Sequence, residues 1–254
     1  MLTCAMHLYG QCAMHLYGQY CPVARAAEIF ADRWTMLIIR ELLADVLHFN
    51  ELQRGLPRMS RTLLAERLRR LERAGVVERR IAPRGKRTEY RLTPAGGELQ
   101  QIIDDLGQWG ARWAFGDPQP NELDPIVLLW WMRRRVALER IPRRRVVIQF
   151  DFRRGPKQQY WLIIEPNDIS VCLKDPGFDI DVLVTADIMA FYRVWLGRLT
   201  LSEALRRNEV QLDGSPGDIR AFPQWFFWSP MADAVRAALS DRQTAWGYPH
   251  DRKN

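Results

Sequence analysis

Long apolar runs are missing from this 254-residue chain. A membrane-spanning helix needs roughly 20 consecutive apolar residues, and the longest run here, residues 126–132, stops at Arg133. The N-terminus also lacks the basic flank and apolar core of a secretory signal, so a cytoplasmic protein with no membrane partner is expected. Cysteine is scarce. Cys4, Cys12, Cys21 and Cys172 are too few and too unevenly placed for a disulfide framework, and no CxxC pair points to zinc. His7, His15, His48 and His250 stand apart from any Ser/Asp arrangement that the sequence can vouch for. There is no HExxH, GxSxG, P-loop or dinucleotide fingerprint. The acidic pairs Asp104-Asp105 and Asp179/Asp181 read as solvated rather than catalytic. A non-enzyme is expected, with no catalytic residues, no cofactor and no metal.

What is present is a globular composition, 47% hydrophobic and 26% charged, in a chain long enough for two domains with separate cores. The first twenty residues hold a tandem duplication: residues 4–11 and 12–19 both read CAMHLYGQ. Two copies of Cys-x-x-His could hold a metal, but zinc sites draw better-separated ligand pairs from a folded frame. The simpler reading is a redundant copy at the front.

The most informative stretch runs from Phe49 to Leu92: FNELQRGLPRMSRTLLAERLRRLERAGVVERRIAPRGKRTEYRL. Leu64, Leu68 and Leu71 recur at helical spacing and make one apolar stripe. Ser60 stands where an N-cap is wanted, and Ala74-Gly75 ends the helix, with glycine suited to a left-handed position. Two extended runs, residues 76–81 and 88–92, flank the basic turn Ala82-Pro83-Arg84-Gly85-Lys86-Arg87. A short helix, a turn, an amphipathic helix and a basic hairpin is the order of a winged helix-turn-helix. Between Arg54 and Arg91 thirteen basic side chains face four glutamates, an excess larger than the +7 of the whole chain. Such clustering suits a phosphate-binding surface.

Around this stretch, Pro22 opens a first helix whose apolar side is Val23, Ala26, Ala27 and Phe30. Asp32 is placed to cap a second helix, residues 33–43, with Trp34, Leu37, Ile38 and Leu42 inward. His48 is expected to cap the short helix that follows, over residues 51–56 and closed by Pro57. After the hairpin, Thr93-Pro94 starts a helix in which Leu99, Ile102, Ile103, Leu106, Trp109 and Trp113 keep helical spacing. That face is longer than a small winged domain can cover, and a partner subunit would cover it.

The motifs YGQYCPVARA, RWTMLIIREL, HFNELQRGLP…MSRTLLAERLRRLERAGVVERR, TEYRLTPAG and WGARW occur in order between Tyr17 and Trp113. Together they resemble the HxlR family of bacterial winged-helix regulators. The resemblance implies a homodimer that binds double-stranded DNA and pairs through its first and last helices. The duplicated octapeptide departs from the family pattern and leaves the native start open. In some regulators of this kind the cysteine corresponding to Cys21 is a thiol redox sensor. Its place before a helix-opening proline agrees with that role, while the alternative is a small apolar residue packed at the dimer seam.

Residues 116–125 are polar and proline-rich and read as a linker. Beyond it come a helix at 126–132, an arginine-rich segment, and strands at 146–152 and 160–165 joined as a hairpin. Strands at 169–173 and 182–185, a helix at 186–196, a short helix at 201–207, a strand at 210–212 and a final aromatic-rich helical region complete the chain. The segments YWLIIEPNDISVCL and DVLVTADIMAFYRVWLGRLTLSEALRRNEVQLDGS, with the aromatic tail, resemble the sterol carrier protein-like fold. That resemblance implies a sheet covered by helices around an apolar cavity, and members that bind lipids or other apolar molecules.

The expected fold class is therefore α+β: a tail (1–20), a winged helix domain (21–115), a linker (116–125) and an α/β sterol carrier protein-like domain (126–254). The expected function is a dimeric transcriptional regulator controlled by a small apolar ligand. The alternative is a lipid carrier that uses its winged domain only to dimerise. The helix-turn-helix residues expected at DNA are Arg54, Arg58, Ser60, Arg61, Thr62, Arg67 and Arg69, with Arg84, Lys86 and Arg87 from the wing. Arg70 and Arg73 are expected on the same outward side of the helix. At helix-turn-helix interfaces the first residues of the recognition helix lie nearest the base edges. The expected dimer contacts are Val23, Ile102, Leu106, Trp109 and Trp113. The expected ligand pocket is Trp161, Phe191, Tyr192, Trp195, Trp225 and Phe226, and the alternative is that these aromatics fill a core.

Overall fold

A computed structural model describes residues 17–81, 88–153 and 159–242. The chain divides into two compact units, the first ending at Ile103 and the second beginning at Asp104. No described helix is long and apolar enough to cross a membrane.

The first unit contains α1 (Pro22–Phe30), α2 (Thr35–Leu43), α3 (Phe49–Gly55), α4 (Arg61–Arg73), β1 (Val77–Ile81), β2 (Thr88–Leu92), α5 (Pro94–Gly97) and the start of α6 (Leu99–Trp113). Its core is built from Ile38, Ile39 and Leu42 of α2, Leu52 of α3, and Leu64, Leu68 and Leu71 of α4, closed by Val76 and Val77. The leucine stripe read from the sequence is the buried stripe. Gly75 ends α4 at φ 71°, a left-handed conformation that glycine adopts without a Cβ penalty. β1 and β2 pair antiparallel from Val77↔Leu92 to Ile81↔Thr88.

Several local expectations are corrected. Asp32 does not cap α2: the N-cap residue is Trp34, without a side-chain cap bond, because the Asp32 carboxylate is engaged by α4. Val23 is exposed, and the side of α1 turned inward carries Ala24 and Glu28. His48 occupies the N-cap position of α3 but makes no cap bond, since its Nδ1 faces the Thr88 carbonyl of β2 at 3.2 Å. The helix after the hairpin is broken at Glu98 into α5 and α6. Thr93 caps α5 as expected, and Gly96 passes so close to the Val76 carbonyl that an added Cβ would lie 2.2 Å from it.

In the second unit, α7 (Pro125–Arg133) leads into β3 (Val146–Arg153), β4 (Gln159–Glu165) and β5 (Asp168–Cys172). Then come β6 (Val182–Asp187), α8 (Ile188–Trp195), α9 (Leu201–Arg206), β7 (Val210–Gly214), α10 (Pro216–Ala221) and α11 (Ala232–Arg242). The sheet order is β5-β4-β3-β6-β7, with β3 parallel to β6 and the other neighbours antiparallel. Central β3 is buried on both faces, which explains its nearly unbroken apolar sequence. One face packs on Leu128, Leu129 and Met132 of α7 and on Phe191, Tyr192, Val194 and Trp195 of α8. Asp124 and Asp187 cap these two helices by accepting first-turn N–H groups.

The segment read as a linker carries defined contacts of its own. Asp117 pairs with Arg193 and Arg198, and Pro120–Glu122 forms a single turn in which the Glu122 carboxylate accepts the Gln119 N–H. The aromatic segment 222–228 is also not a regular helix. It is a short turn, Phe222–Gln224, and irregular chain, whose rings pack on one another at 5.5–6.4 Å.

Leu68 is fully buried between α4 and the rest of the first core. Replacing it with alanine leaves a cavity, and the expected loss is about 2–5 kcal/mol. Chemical denaturation of the full chain, with the two units followed separately by hydrogen exchange, should place that loss in residues 22–103.

Candidate nucleic-acid interface

The interface is organised by α4. Ser60 accepts the Leu63 N–H at 3.2 Å, which starts the helix and leaves its first turn at the surface. The turn before it is braced by Gln53, whose Nε2 donates to the Met59 carbonyl at 2.6 Å. With Leu64, Leu68 and Leu71 buried, the exposed side of the helix carries Arg61, Thr62, Arg69 and Arg73. Arg54, in the last turn of α3, and Arg58, in the turn, are also exposed. Arg61 lies against the preceding helix. Its guanidinium stacks 4.9 Å from the Phe49 ring centroid and donates to Asn50 Oδ1 at 3.1 Å.

Arg67 and Arg70 are placed differently from the expectation. Both turn toward the α1–α2 turn and bind the Asp32 carboxylate, with side chains only 17% and 14% exposed. Helical spacing puts these two arginines beside the buried stripe, and an acid from a distant turn meets them there. Arg73 of α4, Arg79 and Arg80 of β1 and Arg91 of β2 are exposed basic residues outside the expected DNA-contact set. Their signal was the charge excess, which does not resolve individual positions.

The hairpin is anchored to the front of α3. The Tyr90 N–H donates to the Leu47 carbonyl at 2.8 Å, and His48 and Glu89 form an isolated bridge. Arg84, Lys86 and Arg87 lie outside the described residues, as do Cys4 and Cys12 of the duplicated octapeptide. Among the described residues no cluster of three or more acid, histidine or cysteine side chains could hold a metal.

The apolar face of α6 is uncovered in the single chain: Ile102 and Leu106 are half exposed, Trp109 is 58% exposed and Trp113 50%. Val23 of α1 is 76% exposed. Cys21 holds the N-cap position of α1, half-buried and with a free thiol.

The six aromatics expected to line a pocket do not share one surface. Phe191, Tyr192, Trp195, Trp225 and Phe226 are buried in the core between sheet and helices. Trp161 lies on the opposite face of the sheet with Val147 and Ile163. The pleat decides this: along β4, Tyr160, Leu162 and Ile164 face the helices, so Trp161 and Ile163 face away. The Tyr192 hydroxyl donates to the Asp124 carbonyl at 2.8 Å and accepts the Asp124 N–H at 3.2 Å. Burial pushes this phenol far above its ordinary pKa, so it stays a neutral clamp on the start of α7.

A capped, leucine-backed helix behind a short helix and turn, followed by a two-stranded hairpin, defines a winged helix-turn-helix domain. The match to known proteins falls on this part of the chain. Residues 29–117 match the model of the HxlR-like helix-turn-helix family. The transcriptional regulator YvaP of Bacillus subtilis is 38% identical over 95 residues, which are 37% of this chain and 88% of that protein. The regulator Rv3095 of Mycobacterium tuberculosis is 41% identical over 100 residues, 39% of this chain and 61% of that one. Among solved structures, reduced YodB of B. subtilis is 32% identical, covering 38% of this chain and 96% of that chain with a TM-score of 0.33. The chain belongs to the HxlR-like helix-turn-helix transcriptional regulators, a class that binds DNA and is not enzymatic.

Two substitutions separate local supports from the surface. Ser60→Ala removes the cap of α4 and should cost about 0.5–2 kcal/mol, read as a lower midpoint in urea. Tyr192→Phe removes the phenol's bonds to the Asp124 backbone, whose N–H keeps the Glu122 carbonyl at 3.2 Å and whose C=O keeps the Leu128 N–H at 3.1 Å, and should cost about 0.5–1.5 kcal/mol. Its effect should leave DNA binding at saturating protein unchanged, measured by fluorescence anisotropy.

Proposed function

We propose that this chain is a cytoplasmic, sequence-specific DNA-binding regulator that acts as a homodimer. The observation that carries the reading is the exposed basic side of α4, with Arg54, Arg58, Ser60, Arg61, Thr62 and Arg69 around a helix whose other side is locked into the core. The start of α4 enters the major groove, and Arg61 and Thr62 lie nearest the base edges. The wing residues Arg84, Lys86 and Arg87 take phosphates or the minor groove. The uncovered face formed by Ile102, Leu106, Trp109 and Trp113, together with Val23, pairs with a second copy. Two half-sites on DNA are then held at a fixed spacing. Selection of binding sites from random double-stranded DNA tests the reading: a palindromic consensus is expected, and recovery of no preferred sequence would sink it.

The second unit, in this reading, is a sterol carrier protein-like module that holds a small apolar ligand and adjusts DNA binding. The observation in its favour is the indole N–H of Trp225, which is buried in the aromatic core without a hydrogen-bond acceptor. A buried donor of this kind asks for an explanation, and a ligand carbonyl or hydroxyl supplies one. Titration with a medium-chain fatty acid should change the tryptophan emission and shift operator affinity together. A change in emission with operator affinity unmoved would favour a carrier role.

Two substitution sets separate wing from dimer. Neutralising Arg84, Lys86 and Arg87 should weaken binding to all sequences alike and flatten the salt dependence by about 0.9 in slope per lost phosphate contact. A changed base preference with an unchanged slope would reverse the assignment. Trp109→Ala and Trp113→Ala should each weaken the dimer, since truncating a fully buried tryptophan costs about 3–5 kcal/mol. Sedimentation should show dissociation, and operator affinity should fall with it. A parent protein that sediments as a monomer would remove this part of the proposal.

A further inference from the structure

One carboxylate ties the turn after α1 to the side of α4. Arg67 Nη1 lies 3.2 Å from Asp32 Oδ2, Arg70 binds the same oxygen, and Arg70 also donates to the Glu28 carbonyl near the end of α1. The Asp32 side chain is 19% exposed, so the pairs are shielded from water, where charge attraction is stronger than at an open surface. Arg67 and Arg70 are three residues apart and share a side of the helix, whereas Arg69 and Arg73, four apart, share the exposed side.

A second observation marks the same turn. Trp34 is held at φ 79°, a conformation that bulky residues rarely adopt and keep only where the surroundings over-determine it. The Thr35 N–H donates to the Asp32 carbonyl at 3.1 Å, and the Arg33 guanidinium sits 5.4 Å from the Trp34 ring centroid. Behind the turn, buried Glu28 pairs with Arg25 at 3.1 Å and accepts the Tyr17 N–H at 3.0 Å. Tyr17, α1, the strained turn and α4 thus form one connected set of charges and hydrogen bonds.

Resting on the reading of α4 as the DNA-recognition helix, we propose that Asp32 is its positioning residue. By holding Arg67 and Arg70, Asp32 fixes where α4 stands and withdraws both arginines from the phosphates. The outward basic residues then meet DNA in one register. Neutralising Asp32 leaves Arg67 only the longer pair to Glu66 at 3.7 Å and Arg70 only the Glu28 carbonyl, so both guanidinium groups can turn to phosphates of any sequence, discrimination falls and non-specific binding gains.

The test uses the full chain, an operator selected with the parent protein, and random-sequence DNA of the same length. A parent that prefers no sequence defeats the reading of α4, a result distinct from any outcome for the variants. Asp32→Asn should still melt cooperatively but lose at least about tenfold in the ratio of operator to random-DNA affinity. Its salt slope on random DNA should steepen by about 0.9–1.8, one unit of 0.9 for each released arginine that gains a phosphate. Asp32→Glu, which keeps the charge, should retain most of the parent ratio. Arg67→Gln should keep the parent salt slope on the operator, because Arg67 is not a phosphate contact. The proposal is overturned if folded Asp32→Asn keeps both the parent ratio and the parent slope. It is equally overturned if Arg67→Gln lowers the operator slope by about 0.9, and this arm decides even if Asp32→Asn fails to fold.

Discussion

Three leucines on one stripe of α4 leave that helix a single way to bury itself. Leu64, Leu68 and Leu71 pack with Ile38, Ile39 and Leu42 of α2 and Leu52 of α3, and all are close to fully buried. Each such side chain gains roughly 1.5–3 kcal/mol from leaving water, so rotating the helix by one residue would forfeit most of the core. Because the stripe must face inward, Thr62, Arg69 and Arg73 must face outward. The exposed basic side of α4 is in this sense a by-product of core packing. The Ser60 cap, the Gly75 turn and the hairpin then fix where the helix begins, where it ends and what flanks it.

Charge is distributed on that scaffold by neighbours rather than by count. The arginines of α4 are chemically identical, yet they divide into two groups. Arg69 and Arg73 stand at the surface, and Arg67 and Arg70 converge on Asp32. Exposed ion pairs contribute little to stability, at most about 1 kcal/mol. A mostly shielded carboxylate shared by two guanidinium groups has a different use: it defines geometry. The left-handed Trp34 beside it indicates that the turn is held by its surroundings and not by its own preference.

In the second unit the sheet separates aromatics that the sequence presents as one group. Strand pleating sends Trp161 to one face and Tyr160 and Leu162 to the other, while α8 delivers Phe191, Tyr192 and Trp195 to the latter. The Tyr192 hydroxyl, expected at the ligand pocket, holds the Asp124 backbone at the start of α7.

The order of elements, the cap at Ser60, the left-handed Gly75, the buried stripe of α4 and the hairpin were legible in the sequence, because each depends on residues within a few positions of one another. The strands and most helices of the second unit were legible for the same reason. The identity of α4 as the central helix, and the family motifs around it, needed no structure. The tertiary structure alone decided the partners. Asp32 reads locally as a cap, but it lies 35 and 38 positions before the arginines that claim it, and no periodicity connects them. His48 faces Thr88 across forty residues for the same reason. Which aromatics share a face depended on strand register, and which arginines remained at the surface depended on a carboxylate from another turn. Spacing along the chain sets the direction a side chain leaves its helix or strand, and only packing determines what it meets there.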